Sequence, residues 1–193
     1  MDRENEPHDC PICDEEIAHL QEAVANSNGI ERAEALMELG MAALFGGRDE
    51  LALASFGACR DLVSGGDYLE LESAALFRES CTLAVLGRFD EAIDQVTKAK
   101  AICEEEHDLD HLSLCEWREG TYYLDKGDVA RARELITSAR NRYLTINRLA
   151  MASMCELDLQ NIEKKRRPIA KRQASRPSGR KADWNHGRGK RRR

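Results

Sequence analysis

Between residues 14 and 163, apolar side chains return at helical intervals, with charged residues filling the positions between them. Met37, Met41 and Leu44 form one such row. Phe77, Cys81 and Ala84 hold the matching places further along, and then Trp117, Thr121 and Leu124. Spacings of three and four residues put such side chains on one face of a helix. Ala, Leu, Glu and Arg are abundant in this stretch while Val and Ile are sparse, a helix-forming composition. No proline lies between Ile12 and Arg167, so nothing there interrupts a helix. The pattern predicts an all-α body with helices near 14–27, 31–46, 49–64, 68–86, 89–106, 110–126, 129–146 and 149–163. Asn28-Gly29, Gly65-Gly66 and the stretch from His107 to Asp110 mark loops.

The same positions repeat every 40 residues. Gly47, Gly87 and Gly127 are 40 apart, as are Ala52, Ala92 and Ala132. Small residues recur at Gly40, Ser80 and Gly120 and at Cys59, Ala99 and Ala139, and apolar ones at Phe56, Val96 and Ile136. Each glycine of the first set is placed to end a helix, where a left-handed backbone costs least without a Cβ. A second helix starts at once, and a turn this short makes the two helices antiparallel neighbours. The small residues then sit where paired backbones come closest.

This spacing resembles the tetratricopeptide repeat: a small residue, a glycine seven positions on, an alanine five later, a large apolar residue four further and a small residue three beyond. All five positions are filled in three units between Glu31 and Arg148. The period is longer than the family's usual 34 or so residues, and the proline that closes the family's unit is absent. The six extra residues are expected in longer helices or longer loops. The resemblance implies a right-handed solenoid of antiparallel helix pairs, about three units with capping helices. The last helix, carrying Leu149, Met154, Leu157 and Ile162, is expected to cap the stack, since an end repeat otherwise exposes its apolar face. It also implies a concave groove lined by the first helix of each unit. Met37, Phe77 and Trp117, with Met41, Leu44 and Leu124, are then the candidate residues for binding a protein or peptide. Two other readings of the same stripe stand beside this one: the side chains are core, or the chain's own helix 14–27 fills the groove.

Charge divides the chain. The net charge of −6 conceals 14 Lys and Arg against the single acid Asp183 in residues 164–193, and 15 against 34 acids in residues 1–163. The segments are therefore about +13 and −19. Three regions follow: an N-terminal segment 1–29 with one helix, a repeat domain 30–163 and a basic tail 164–193. The tail has few apolar residues and is expected to be disordered on its own. The stretch from Lys164 to Pro168 should extend the last helix and then stop it. Its charge suits nucleic-acid phosphates. Lys164, Lys165, Arg166, Arg167, Lys171, Arg172, Arg180, Lys181, Arg188, Lys190, Arg191, Arg192 and Arg193 are the candidate contacts, and Trp184 can stack on an unpaired base. Contact with the acidic body or with an acidic protein is the alternative use of the same charge.

Of seven cysteines, Cys59, Cys81, Cys103, Cys115 and Cys155 are scattered through predicted helices and read as small packing groups. Cys10 and Cys13 form a Cys-Pro-x-Cys half-site for zinc, with His8 and His19 as candidate further ligands. A bland N-terminal segment and a redox pair are the competing readings. No other cofactor is indicated. The acids look solvated, and no nucleophile, metal-protease or phosphate-loop motif appears, so no enzymatic activity is expected. There is no apolar run long enough to span a membrane and no secretory leader pattern, which points to the cytoplasm. The expected function is a non-enzymatic interaction scaffold with a basic tail. The alternative is a nucleic-acid-binding regulator acting through that tail.

Overall fold

The computed structural model describes residues 11–174, with side chains from 14 to 164. These residues form eight helices: α1 (Pro11–Asn26), α2 (Gly29–Phe45), α3 (Asp49–Val63), α4 (Leu69–Val85), α5 (Phe89–Glu105), α6 (Leu109–Asp125), α7 (Val129–Thr145) and α8 (Leu149–Ala174). Each helix packs on the next, and α4 also touches α6 across the intervening α5. The result is a solenoid of the pairs α2/α3, α4/α5 and α6/α7, with α1 before them and α8 after.

The extra residues of the long period lie in the helices. α4, α5, α6 and α7 are each 17 residues long and are joined by three-residue turns. The same turn chemistry closes each of them. The backbone N–H of Arg88 donates to the Leu83 carbonyl (2.8 Å), Asp108 to Cys103 (2.9 Å), Asp128 to Tyr123 (2.9 Å) and Arg148 to Tyr143 (2.8 Å). This six-residue closure needs one left-handed residue. Gly87 (φ 74°) and Gly127 (φ 88°) supply it in two turns, and His107 (φ 56°) and Asn147 (φ 60°) in the others. Asp108 also caps α6, accepting from the N–H groups of Asp110 and His111, both at 3.1 Å.

Within a pair the small residues set the approach. A Cβ built on Gly40 would lie 2.4 Å from the Phe56 ring, so α2 and α3 meet at a distance only glycine permits. Ala43, Ala52 and Phe56 close this contact without solvent exposure, except that Met37, Met41 and Leu44 pack beside it half-buried. The second and third units repeat the arrangement around Val96 and Ile136.

Three expectations are corrected. α8 runs through Pro168 to Ala174 instead of stopping there. Proline removes one backbone donor, but a helix ends where the chain can turn. The period places Arg167 where Gly47, Gly87 and Gly127 turn the other units, and arginine enters the left-handed region less readily than glycine, histidine or asparagine. α8 is also an incomplete cap: Ala152, Cys155 and Ile162 pack inward, while Leu149, Met154 and Leu157 are exposed. Lastly, the acids are not all solvated, because Glu79, Glu116 and Glu119 are buried. Arg60 on α3 pairs with Glu79 on α4, and Lys100 on α5 with Glu119 on α6, both at 2.6 Å. Glu116 accepts from Arg142 (3.0 Å) and Ser138 (3.1 Å) on α7. Burial raises the Glu79 carboxyl pKa, and Arg60 opposes the rise.

Candidate partner-binding groove

The first helices of the units, α2, α4 and α6, lie side by side with α8 continuing the row, and a cleft opens between each successive pair. Between α2 and α4 it is lined by Ile30, Glu34, Tyr68, Glu70 and Ala74, with Glu106 at its edge. Between α4 and α6 a smaller and more enclosed cavity of about 130 Å³ is bounded by Ala74, Phe77, Leu114 and His111, with Cys103 and Cys115 among its walls. Between α6 and α8 the cleft is lined by His111, Leu114, Tyr143, Arg148 and Met151. Glu70 and Ala74 belong to the first two clefts, and His111 and Leu114 to the last two, so the three form one continuous face.

Packing divides the sequence-predicted row along this face. Met37, Met41 and Leu44 are half-buried against the α2/α3 contact. Phe77 is half-buried over the α4–α6 cavity, and Leu124 is half-buried against the α6–α8 core. Trp117 is the correction. It is 7% exposed and packs with Ile136, Tyr143, Cys155 and Ile162. Its indole N–H donates to Asp158 Oδ2 of α8 (2.9 Å), and the Arg118 guanidinium stands 5.5 Å from the ring centre. The indole bridges α6 to α8 and is unavailable as an anchor. The polar partner that allows its burial sits 41 residues away, which the repeat spacing does not announce.

Two residues on the same face were missed. Phe45 is 79% and Val85 68% exposed. They follow Met41 and Cys81 by one helical turn and are themselves 40 apart, so the period carried the signal. Each ends its helix just before the turn.

The mouth of the α4–α6 cavity carries a fixed polar pair. His111 Nδ1 meets Asp108 Oδ2 at 2.5 Å. That carboxylate raises the imidazole pKa above its usual value. Burial acts to raise Asp108, but His111 and the helix N–H groups hold it below the ordinary carboxylate value.

α1 does not fill the groove. Its Ile17, Leu20 and Val24 pack on Leu39, Ala42 and Leu51 at the N-terminal end of the solenoid, and Asp14 pairs with Arg48 at 2.5 Å. His19 is exposed on α1. His8 and Cys10 and the side chain of Cys13 lie outside the described residues, so the zinc half-site is not described. Among the described residues, no group of three or more His, Cys, Asp or Glu is placed to hold a metal. Lys164 is exposed on α8. The side chains of Lys165, Arg166, Arg167, Lys171 and Arg172, and residues 175–193 with Arg180, Lys181, Trp184, Arg188, Lys190, Arg191, Arg192 and Arg193, lie outside the described residues. No described helix is long and apolar enough to cross a membrane.

No family model matches the chain, and no curated protein matches it in sequence. Solved structures do match. The apo form of RapI superposes with a TM-score of 0.75 at 13% identity, over 82% of this chain and 45% of RapI. A Podospora anserina kinesin light chain with nearly identical TPR-like repeats gives 0.63 at 18% identity, over 84% of this chain and 89% of its own. A Rap protein complexed with Competence and Sporulation Factor gives 0.52 at 16% identity, over 80% of this chain and 48% of its own. The chain thus spans about half the length of the two Rap proteins. At these identities the likeness is one of fold, and that fold is a tetratricopeptide-like helical solenoid.

Proposed function

We propose that this protein is a non-catalytic interaction scaffold that holds a protein or peptide segment along the face formed by α2, α4, α6 and α8. The carrying observation is the continuous line of clefts with an apolar row beside it: Met37, Met41, Leu44 and Phe77 half-buried, and Phe45 and Val85 exposed. Apolar side chains exposed in line along a soluble solenoid are more costly than scattered ones, and a bound segment removes that cost. The Rap protein complexed with Competence and Sporulation Factor supports the reading, because it uses the same fold in a complex. Within this reading Trp117 shapes the groove from behind, and Phe45, Val85 and Phe77 are the contact residues.

The basic tail adds an electrostatic contact with nucleic acid. Its support is the local excess of 14 Lys and Arg over one acid. Two variants separate the functions. Phe45→Glu with Val85→Glu should abolish capture of a bound protein partner and leave retention on immobilised RNA or DNA unchanged. Deletion of 164–193 should do the reverse, with the wild-type retention falling steeply as salt rises. Partner capture that survives the double glutamate variant, in protein of wild-type helicity, rules out the groove. Absence of nucleic-acid retention by the full chain at low salt rules out the tail contact.

A further inference from the structure

We infer that Cys103 and Cys115 form a peroxide-oxidisable dithiol, a modification site in the wall of the α4–α6 cavity. The two residues come from different helices, Cys103 from the last turn of α5 and Cys115 from the middle of α6. Both border the cavity of about 130 Å³ together with Ser73, Phe77 and His111. That space exceeds the roughly 30 Å³ share of a water molecule, so a peroxide of a few atoms fits. Both residues are buried in one apolar cluster on the packed helices α5 and α6. Cys59 and Cys155 differ: they sit in closed packing, and burial pushes each thiol up to about 11.

The neighbouring Cys115 lowers the Cys103 pKa, burial and the Asp108 carboxylate oppose the drop, and His111 assists it. The neighbouring Cys103 and burial both push the Cys115 thiol upward. Either sulfur can attack first; the steps are written with Cys103 attacking and Cys115 resolving. In the first step the Cys103 sulfur takes one oxygen of hydrogen peroxide, the O–O bond breaks, and hydroxide leaves. In the second, Cys115 attacks the resulting sulfenic acid, the S–O bond breaks, and the Cys115 proton and the hydroxyl leave as water. Overall, two thiols are oxidised to one disulfide and one peroxide is reduced to two waters. Cys103 lies two residues from the end of α5 and just before a three-residue turn, where the backbone is freest to bring the sulfurs to the bonding distance of about 2 Å. The bond ties α5 to α6 beneath Phe77. The inference does not depend on what occupies the groove.

The test uses the full chain with Cys10→Ser and Cys13→Ser, which leaves the five thiols of Cys59, Cys81, Cys103, Cys115 and Cys155. Hydrogen peroxide should lower the free-thiol count from five to three, remove two hydrogens from the intact mass and join the Cys103 and Cys115 peptides. Reduction should restore all five thiols. With Cys115→Ser added, dimedone should trap a sulfenic acid at Cys103. Five thiols remaining after peroxide, or a disulfide that maps to Cys81, Cys59 or Cys155, overturns the proposal. The thiol count is read on a chain that keeps Cys103 and Cys115, so it stands even if the Cys115→Ser variant fails to fold.

Discussion

The junction of α5 with α6 and that of α7 with α8 begin alike and end differently. Lys100 and Arg140 hold equivalent places in the repeat, and each reaches a glutamate of the following helix at 2.6 Å. In the inner junction the Glu119 side chain is 5% exposed, whereas at the end of the solenoid Glu156 is 44% exposed. The period places Leu159, not a carboxylate, opposite Arg140, so the arginine turns to Glu156 instead. α7 packs on α6 at the inner junction; no described helix covers α8 from beyond. There an apolar cleft remains, lined by Leu144, Leu149, Ala152 and Leu157. One local interaction is thus a buried structural element in one place and a surface ion pair in the other. What differs is the neighbouring layer.

Removing the cations breaks the comparison most strongly. Lys100→Ala leaves a buried carboxylate without its partner and should cost about 3–5 kcal/mol, read as a drop in the denaturant midpoint. Arg140→Ala exposes only a solvated carboxylate and should cost roughly 1 kcal/mol or less. Equal losses would show that cover does not decide the worth of the pair.

The repeat positions of small residues sharpen the same contrast. Gly40→Ala forces a Cβ against the Phe56 ring and should destabilise by about 1–3 kcal/mol. Gln160 stands at the equivalent place in α8, beside the open cleft, and Gln160→Ala should leave the melting temperature near that of the wild type. A matching loss at Gln160 would mean that α8 is covered in solution.

The smallest expected effect concerns the α6 cap. The folded-state pKa of His111 lies above its unfolded value of 6.5. Its stabilisation is therefore complete below 6.5 and is lost as pH rises through the folded value. The wild type should lose stability slightly between about pH 6 and pH 9 relative to His111→Gln, followed by urea unfolding at both pH values. The effect should be small because the side chain is largely exposed. A wild type that gains stability over this range relative to the variant would contradict the assigned pair.

The helices and their pairing were legible because they depend on residues near in sequence. Gly87 and Gly127 mark their turns by needing no Cβ, and Gly40 marks a close contact for the same reason. His107 and Asn147 perform the same turn with a side chain, and only the 40-residue spacing made those loops expected. The candidate groove was half legible. Phe77 borders the α4–α6 cavity and Met37 packs half-buried beside the α2/α3 contact, while Trp117, at the equivalent place, is buried with its indole on Asp158.

The sequence by itself determined the all-α body, the 40-residue unit and the charge division between body and tail. Each follows from local propensity, from steric limits on small residues or from counting. Only the tertiary structure decided which glutamates are buried, where Trp117 goes, that no described helix covers the outer face of α8 and that Cys103 and Cys115 border one cavity. Those outcomes depend on which surfaces the neighbouring layer covers. Burial sets both the worth of a charge and the availability of a side chain, and no single helix carries that information in its own residues.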